Sequence, residues 1–408
     1  MAIQGLRDTS NFVTDQRPKN WRESIMLLYP NGKAPLVALT SVMKSESTDD
    51  PEYNWWEKGL ASQRFALTAD ITAVQTTIPL ATGSASQLKE GHVLRVEQTS
   101  ELMLVTADPV VDGLIPVLRG LGGTTATLVD FDGVGVNPNV MVIGTMHEEN
   151  SDSPTGINYD PTKKFNFTQI FRNTLEMSRT ASKTRLRTGD SVKEAKRECL
   201  EYHTIEMEKS FWLGVRTETT KNGKPARLTG GILSFIDAGN IADVEVDSAA
   251  GLSMTGLENY MERMFRFGSS EKMAFTGNIA LLAIQRAIRK NTTYQIVTGE
   301  KSFGMNMSRL ISPFGEIVMK THPLFNQSVG GSTGGTAFFG LNSWFWVLDM
   351  ENIKYRYLTD SDTKYQKTLQ DNGLDGMQSG YLTECGMEVH HPTTHFLLKN
   401  LNEGIVDP

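Results

Sequence analysis

Residues 191–215 read SVKEAKRECLEYHTIEMEKSFWLGV. The stretch has no proline, its one glycine is Gly214 at the far end, and it is dense in Glu, Lys, Leu and Met. Leu200, His203, Met207 and Phe211 recur at helical spacing, and Val192, Ala195 and Cys199 form a second stripe beside them. Ser191 with Glu194 three residues on fits a capping box, which satisfies two backbone donors that a helix start leaves orphaned. About 24 residues at ~1.5 Å each make a rod of ~36 Å, enough to cross a domain. Glu198, Glu201, Glu208 and Lys209 are expected to leave one side wet. This is a supporting beam, and the rest of the chain has to be arranged on it.

The 408 residues allow two or three domains with sizeable cores. A formal charge of −7 argues against wrapping nucleic acid through a basic surface, because that binding is carried by Lys and Arg on phosphates. Cys199 and Cys385 are the only cysteines, which excludes a disulfide framework and a cysteine zinc site. The first residues lack the apolar core of a signal peptide, and no apolar run approaches the ~18 residues of a membrane span.

Before the beam the texture changes three times. Residues 1 to about 35 are polar, with prolines at 18, 30 and 35, and read either as a floppy tail or as an arm that folds on a neighbour; a short apolar piece, LVALTSVM, follows. Trp55 and Trp56 sit side by side in acidic, loop-like surroundings and read as a core cap or a contact surface. Residues 67–145 hold short strand-like runs between turns, with His92, Leu94 and Val96 alternating and Gln98-Thr99-Ser100 short enough for a hairpin. That pattern predicts a small all-β barrel or sandwich. After a polar linker at 146–160, Phe165, Phe167 and Phe171 fall on one strand face with nothing adjacent in sequence to cover them.

Beyond the beam, TETTKNGKPARLTGG reads as a turn-rich connector. An α/β segment runs from about Gly231 to Phe325, with a helix opened by Thr255 and Glu258, a buried strand at KMAF and a second helix from Asn278. Ser312-Pro313-Phe314-Gly315 joins two strands. The last 70 residues are strand-like again, so the whole is α+β.

Motifs for chemistry mostly fail. Gly223-Lys224 lacks a phosphate-cradling loop, and the 330–336 stretch GGSTGGT reads as linker. Asp130-Phe131-Asp132-Gly133 lacks the further oxygen ligands of a calcium loop. His390, His391 and His395, near Glu384, Cys385 and Glu388, form the one ligand-rich patch; a metal-dependent enzyme is one reading of it, and surface or interface histidines are the plainer one. No cofactor or catalytic residue is assigned.

Several stretches taken in order resemble a known family: PTKKFNFTQIFRNTLEMSRTA (161–181), EMEKSFWLG (206–214) and KPARLTGGILSFI (224–236), with GHVLRVEQTSELMLVTA (91–107) and LRGLGGTTA (118–126) in the β-rich part. Together they resemble the major capsid proteins of a group of tailed bacteriophages. The resemblance implies the Hong Kong 97-type capsid fold, an α+β fold with an inserted β module. It places an N-terminal arm at 1–45, extended-loop limbs at 46–66 and 146–180, and the module at 67–145. A peripheral domain takes 181–230 and 340–408, with its spine helix at 191–215, and an axial domain takes 231–339. It implies a non-enzymatic subunit that assembles with itself as hexamers and pentamers around double-stranded DNA contacted without sequence preference. Portal, a separate scaffolding protein and decoration proteins are the further partners it implies. The protein would be made in the bacterial host cytoplasm and reside in the virion, with no membrane involved. The candidate subunit-contact residues are Trp55, Trp56, Phe165, Phe167, Phe171 and Arg172. The alternative within the same fold is the shell of an encapsulin-like protein-cargo compartment.

Overall fold

A computed structural model describes residues 45–59, 63–131, 139–184, 189–244, 252–289, 295–302, 305–326 and 338–401. The arm, apart from Ser45, and the 330–336 linker lie outside the described residues. Two compact units are formed, one by the chain up to Trp55 together with the chain from Lys163, the other by Trp56–Thr162.

In the first unit, a five-stranded sheet runs β1 (Ser45–Thr48), β19 (Ile353–Leu358), β21 (Gly376–Val389) and β10 (Gln169–Ser178), with β20 (Lys364–Gln366) also on β21. β21 is the long member. β10 pairs with it antiparallel from Gln169↔Cys385 to Ser178↔Gly376. A seven-stranded sheet is ordered β13 (Ile241–Asp243), β22 (Phe396–Lys399), β18 (Phe345–Leu348), β14 (Glu271–Thr276), β17 (Gly315–Thr321), β16 (Met305–Ser312) and β15 (Gln295–Ser302). The KMAF segment is its centre, parallel to β17 and antiparallel to β18. Every residue of β18 is buried, as expected of a strand with neighbours on both edges and cores on both faces.

Five α-helices are described: α1 (Arg179–Lys183), α2 (Ser191–Leu213), α3 (Ile232–Phe235), α4 (Met254–Phe265) and α5 (Asn278–Arg289). α4 and α5 cover one face of the seven-stranded sheet through Leu257, Met261, Met264, Ala283, Ile284 and Ile288. The other core lies under α2 and draws on both sheets, with Met207, Phe211 and Trp212 set against Phe171, Tyr355, Met387, Phe275, Trp346 and Leu397. Trp212 is the junction. Its ring lies 5.0 Å from that of Trp346 and 5.2 Å from those of Phe275 and Phe325.

The beam is therefore present, with three corrections. Its N-cap is Asp190, whose side chain accepts from the Val192 N–H, one residue before the expected Ser191. Leu200 is exposed, because the buried stripe runs Cys199, His203, Met207 and Phe211 and places Leu200 a turn-fraction away. Glu208, expected to be wet, is fully buried. α4 is likewise capped two residues earlier than Thr255, by Ser253 accepting from the Gly256 N–H at 3.1 Å.

In the second unit, a six-stranded sheet runs β3 (Arg64–Ala66), β8 (Asn139–Thr145), β5 (His92–Val96), β6 (Leu102–Val105), β7 (Leu114–Leu118) and β4 (Thr77–Pro79). The chain just past β3 meets the chain just past β4: Leu67 bridges Leu80, Thr68 N–H donates to Pro79 O, and Ala81 N–H donates to Ala66 O. The sheet thereby closes on itself around Phe65, Ile71, Ile78, Leu94, Met103, Ile115 and Val140. A buried bidentate pair ties part of this unit, Arg119 Nε to Glu101 Oε1 at 2.8 Å and Arg119 Nη2 to Glu101 Oε2 at 2.5 Å. The same guanidinium donates to the carbonyls of Thr72 and Thr127.

Residues 169–178, expected as part of an extended limb, are integral to the five-stranded sheet. The segment 340–408 is divided between sheets, since β18 and β22 belong to the seven-stranded one while β19, β20 and β21 form the other.

Candidate subunit-contact surfaces

A two-stranded ribbon, β2 (Glu52–Glu57) with β9 (Thr162–Phe167), is rooted on the five-stranded sheet of the first unit. The root is polar, buried and fully paired. Asn166 Nδ2 donates to Met387 O at 2.7 Å and to Gly230 O at 3.1 Å, while its Oδ1 accepts from Gly230 N–H at 2.8 Å and Phe167 N–H at 2.9 Å. Tyr53 donates its phenolic O–H to the same Met387 carbonyl at 2.9 Å. Burial raises the Tyr53 phenol well above its usual range, which keeps it a donor. Gly386 lies under these groups; a Cβ there would meet Tyr53 Oη and Phe167 O, so the ribbon needs glycine to approach this closely.

The expected contact residues now separate. Trp55 and Trp56 lie in a strand rather than a loop, so they point to opposite faces. Trp55 is 5% exposed and packs on Tyr53, Phe235 and His390, whereas Trp56 is 65% exposed. Phe165, Phe167 and Phe171 do not share one uninterrupted face, because the strand breaks at Thr168 and β9 and β10 join different sheets. Their rings are also covered from within the chain. Phe171 packs edge-on to His203 of α2, Phe167 edge-on to Phe165, and Phe165 lies 3.8 Å beneath the Arg216 guanidinium. Phe167 and Phe171 are buried and Phe165 is half-buried. Arg172 is exposed beside Ile170 on the opposite face of β10.

A second ribbon stands where the sequence predicts only a turn-rich connector. β11 (Thr217–Lys221) and β12 (Lys224–Leu228) form a hairpin in the stretch expected to be a connector. Asn222 and Gly223 both have positive φ, 53° and 74°, as a two-residue hairpin turn demands. The signal was there: Asn-Gly between two short β-compatible runs. Its base is clamped where Gly231 N–H donates to Gly214 O at 2.8 Å. All five residues of β11 are exposed.

Groups with catalytic-type chemistry are committed to holding elements together. His322 Nδ1 accepts from Leu324 N–H, so its proton is on Nε2, 2.6 Å from Glu208 Oε1, which also accepts from Trp212 Nε1 at 3.0 Å. Buried Lys272 gives its ammonium to the carbonyls of Met264, Phe267 and Thr394 at 2.6–2.8 Å, closing the C-terminal end of α4. Burial lowers that amine to about 8. The histidine patch is likewise spent. His395 accepts Asp349 N–H at Nδ1 and donates from Nε2 to His390 O, burial lowers it to about 4, and His390 pairs with Glu388 at 2.8 Å. Glu388 in turn holds Arg356. With both ring nitrogens of His395 engaged, the three histidines are not together available to a metal.

A family model described as SU10 major capsid protein matches residues 7–402. The major capsid protein of Pseudomonas phage PaMx41 is 26% identical over 379 residues, which is 90% of this chain and 85% of that protein. Among solved structures, a chain of Microbacterium phage Oxtober96 aligns over 95% of this chain and 96% of its own, at 11% identity and a TM-score of 0.42. A chain of the holo-SrpI encapsulin complex from Synechococcus elongatus PCC 7942 aligns over 61% of this chain and 79% of its own, at 11% identity and a TM-score of 0.42.

Proposed function

The chain belongs to the SU10 major capsid protein family, and from that membership we propose that it is the subunit of a phage head with the Hong Kong 97-type fold, assembling as hexamers and pentamers around double-stranded DNA. The observation that carries this reading is the family match, which runs through both units rather than through one. In this assignment α2 is the spine helix, the five-stranded sheet belongs to the peripheral domain, and the seven-stranded sheet with α4 and α5 is the axial domain. The β2–β9 ribbon and the linker after Thr145 are the limbs that carry the closed β unit as an inserted module.

The geometry supports a structural role. Ionisable groups in the interior tie sheets and helices, while Trp56 and Ile170 leave apolar surface uncovered on the β2–β9 ribbon and on β10. Trp56, half-buried Phe165 and Arg172 are the contact residues we retain; Trp55, Phe167 and Phe171 support them from inside. A portal, a separate scaffolding protein and decoration proteins complete the proposed set of partners, and host cytoplasm followed by the virion is the proposed location. Negative-stain electron microscopy of the purified protein tests the reading. Closed shells are expected, and a homogeneous population of small soluble particles under assembly conditions would overturn it.

A further inference from the structure

The β11–β12 hairpin meets the rest of the described chain at its base, where β12 approaches β10, and leaves its tip exposed. A lone two-stranded ribbon is marginally stable in water, and this one has neither an apolar face nor a third strand. Its charges are uneven. On one face Glu218 pairs across the strands with Arg227 at 3.0 Å. That leaves Lys221 and Lys224, directly opposite each other at the tip, exposed and without an ion pair among the described residues. Two like charges facing each other across a ribbon repel, a cost that an acidic partner removes.

The chain itself offers that partner. The turn around Asn150 (φ 64°) presents Glu148, Glu149 and Asp152, all exposed and none in an ion pair among the described residues. From residue 146 to 160 there are four acids and no Lys or Arg. We propose that the Lys221/Lys224 tip of one copy docks on the Glu148–Asp152 turn of a second copy, a head-to-tail contact that repeats from subunit to subunit. This rests on the shell reading above and gives it a specific charged contact. Both patches are exposed, so the contact is screened by salt and acts on orientation and encounter rate more than on final stability.

The test is charge reversal followed by mixing. Lys221→Glu with Lys224→Glu, and separately Glu148→Lys with Glu149→Lys and Asp152→Lys, are each expected to remain folded by circular dichroism and to assemble at least tenfold more slowly at low salt by light scattering. Mixed in equal amounts, the two variants are expected to assemble faster than either alone, because each then carries the complement of the other; a ring of five cannot alternate throughout, so the recovery is partial. If wild type forms shells and either variant assembles at the wild-type rate, the contact is refuted while the shell reading stands. If the variants fail singly and also fail when mixed, the intermolecular pairing is refuted. Failure of wild type to form shells would refute the shell reading instead.

Discussion

Asn166 and Met387 are joined by a hydrogen bond of 2.7 Å between the amide of one and the backbone carbonyl of the other, Met387 lying two residues beyond the last β10–β21 rung and Asn166 three before it. Where the ladder stops, a side chain takes over the work of the backbone. Asn166 is fully buried, and its carbonyl and amide together serve two N–H groups and two backbone carbonyls. Replacement by Ala leaves several buried groups unsatisfied, at roughly 1–3 kcal/mol each. Asn166→Ala is therefore expected to lower the denaturation midpoint clearly. Asn166→Asp is expected to do at least as much harm, since it sets a carboxylate oxygen against two carbonyls. Urea unfolding followed by tryptophan fluorescence measures both, and a midpoint unchanged in Asn166→Ala would contradict this account of the root.

Trp56 separates assembly from folding. At 65% exposed its removal opens no cavity, so Trp56→Asp is expected to leave the unfolding midpoint within about 0.5 kcal/mol of wild type while reducing shell yield. Phe167→Asp is expected to fail earlier, in folding, because it buries a charge at the ribbon root. Unfolding curves and particle counts on the two variants distinguish these outcomes.

The contrast between these two aromatics shows how far the residues could be read unaided. α2 was legible because its apolar positions recur every three to four residues, and the His92–Val96 hairpin because its core positions alternate. Glu208 looks solvated in the sequence because burial of a carboxylate depends on His322, 114 residues away, which no local pattern reveals. The three phenylalanines were read as one face because Thr168, where the strand leaves one sheet for another, has no propensity signature. Asn222-Gly223 carries its hairpin signal in two adjacent residues, both at positive φ.

Glu208→Leu leaves the Trp212 and His322 N–H groups buried without an acceptor and is expected to cost about 3–5 kcal/mol. Glu208→Gln keeps a carbonyl oxygen in place and is expected to cost about 1–2 kcal/mol. Equilibrium denaturation of both variants checks the order, and equal losses would contradict it.

Buried His395 makes stability depend on pH. Its ring is held near 4 in the fold against about 6.5 in the unfolded chain, with Asp349, Lys272 and His390 as its charged or titratable neighbours. Between those values the unfolded chain binds the extra proton. Stability from this group is therefore complete above pH 6.5 and is lost as pH falls towards 4, by about 3 kcal/mol in all. Melting temperature measured from pH 7 to pH 4 is expected to fall, and to fall less steeply in His395→Gln. Parallel profiles for the two proteins would contradict the assignment.

The central claim is that this chain builds a closed shell. Electron microscopy of the purified wild-type protein under assembly conditions tests it most directly. The account predicts closed, isometric particles built of five-fold and six-fold capsomers, and monomers or small open oligomers as the sole product would contradict it.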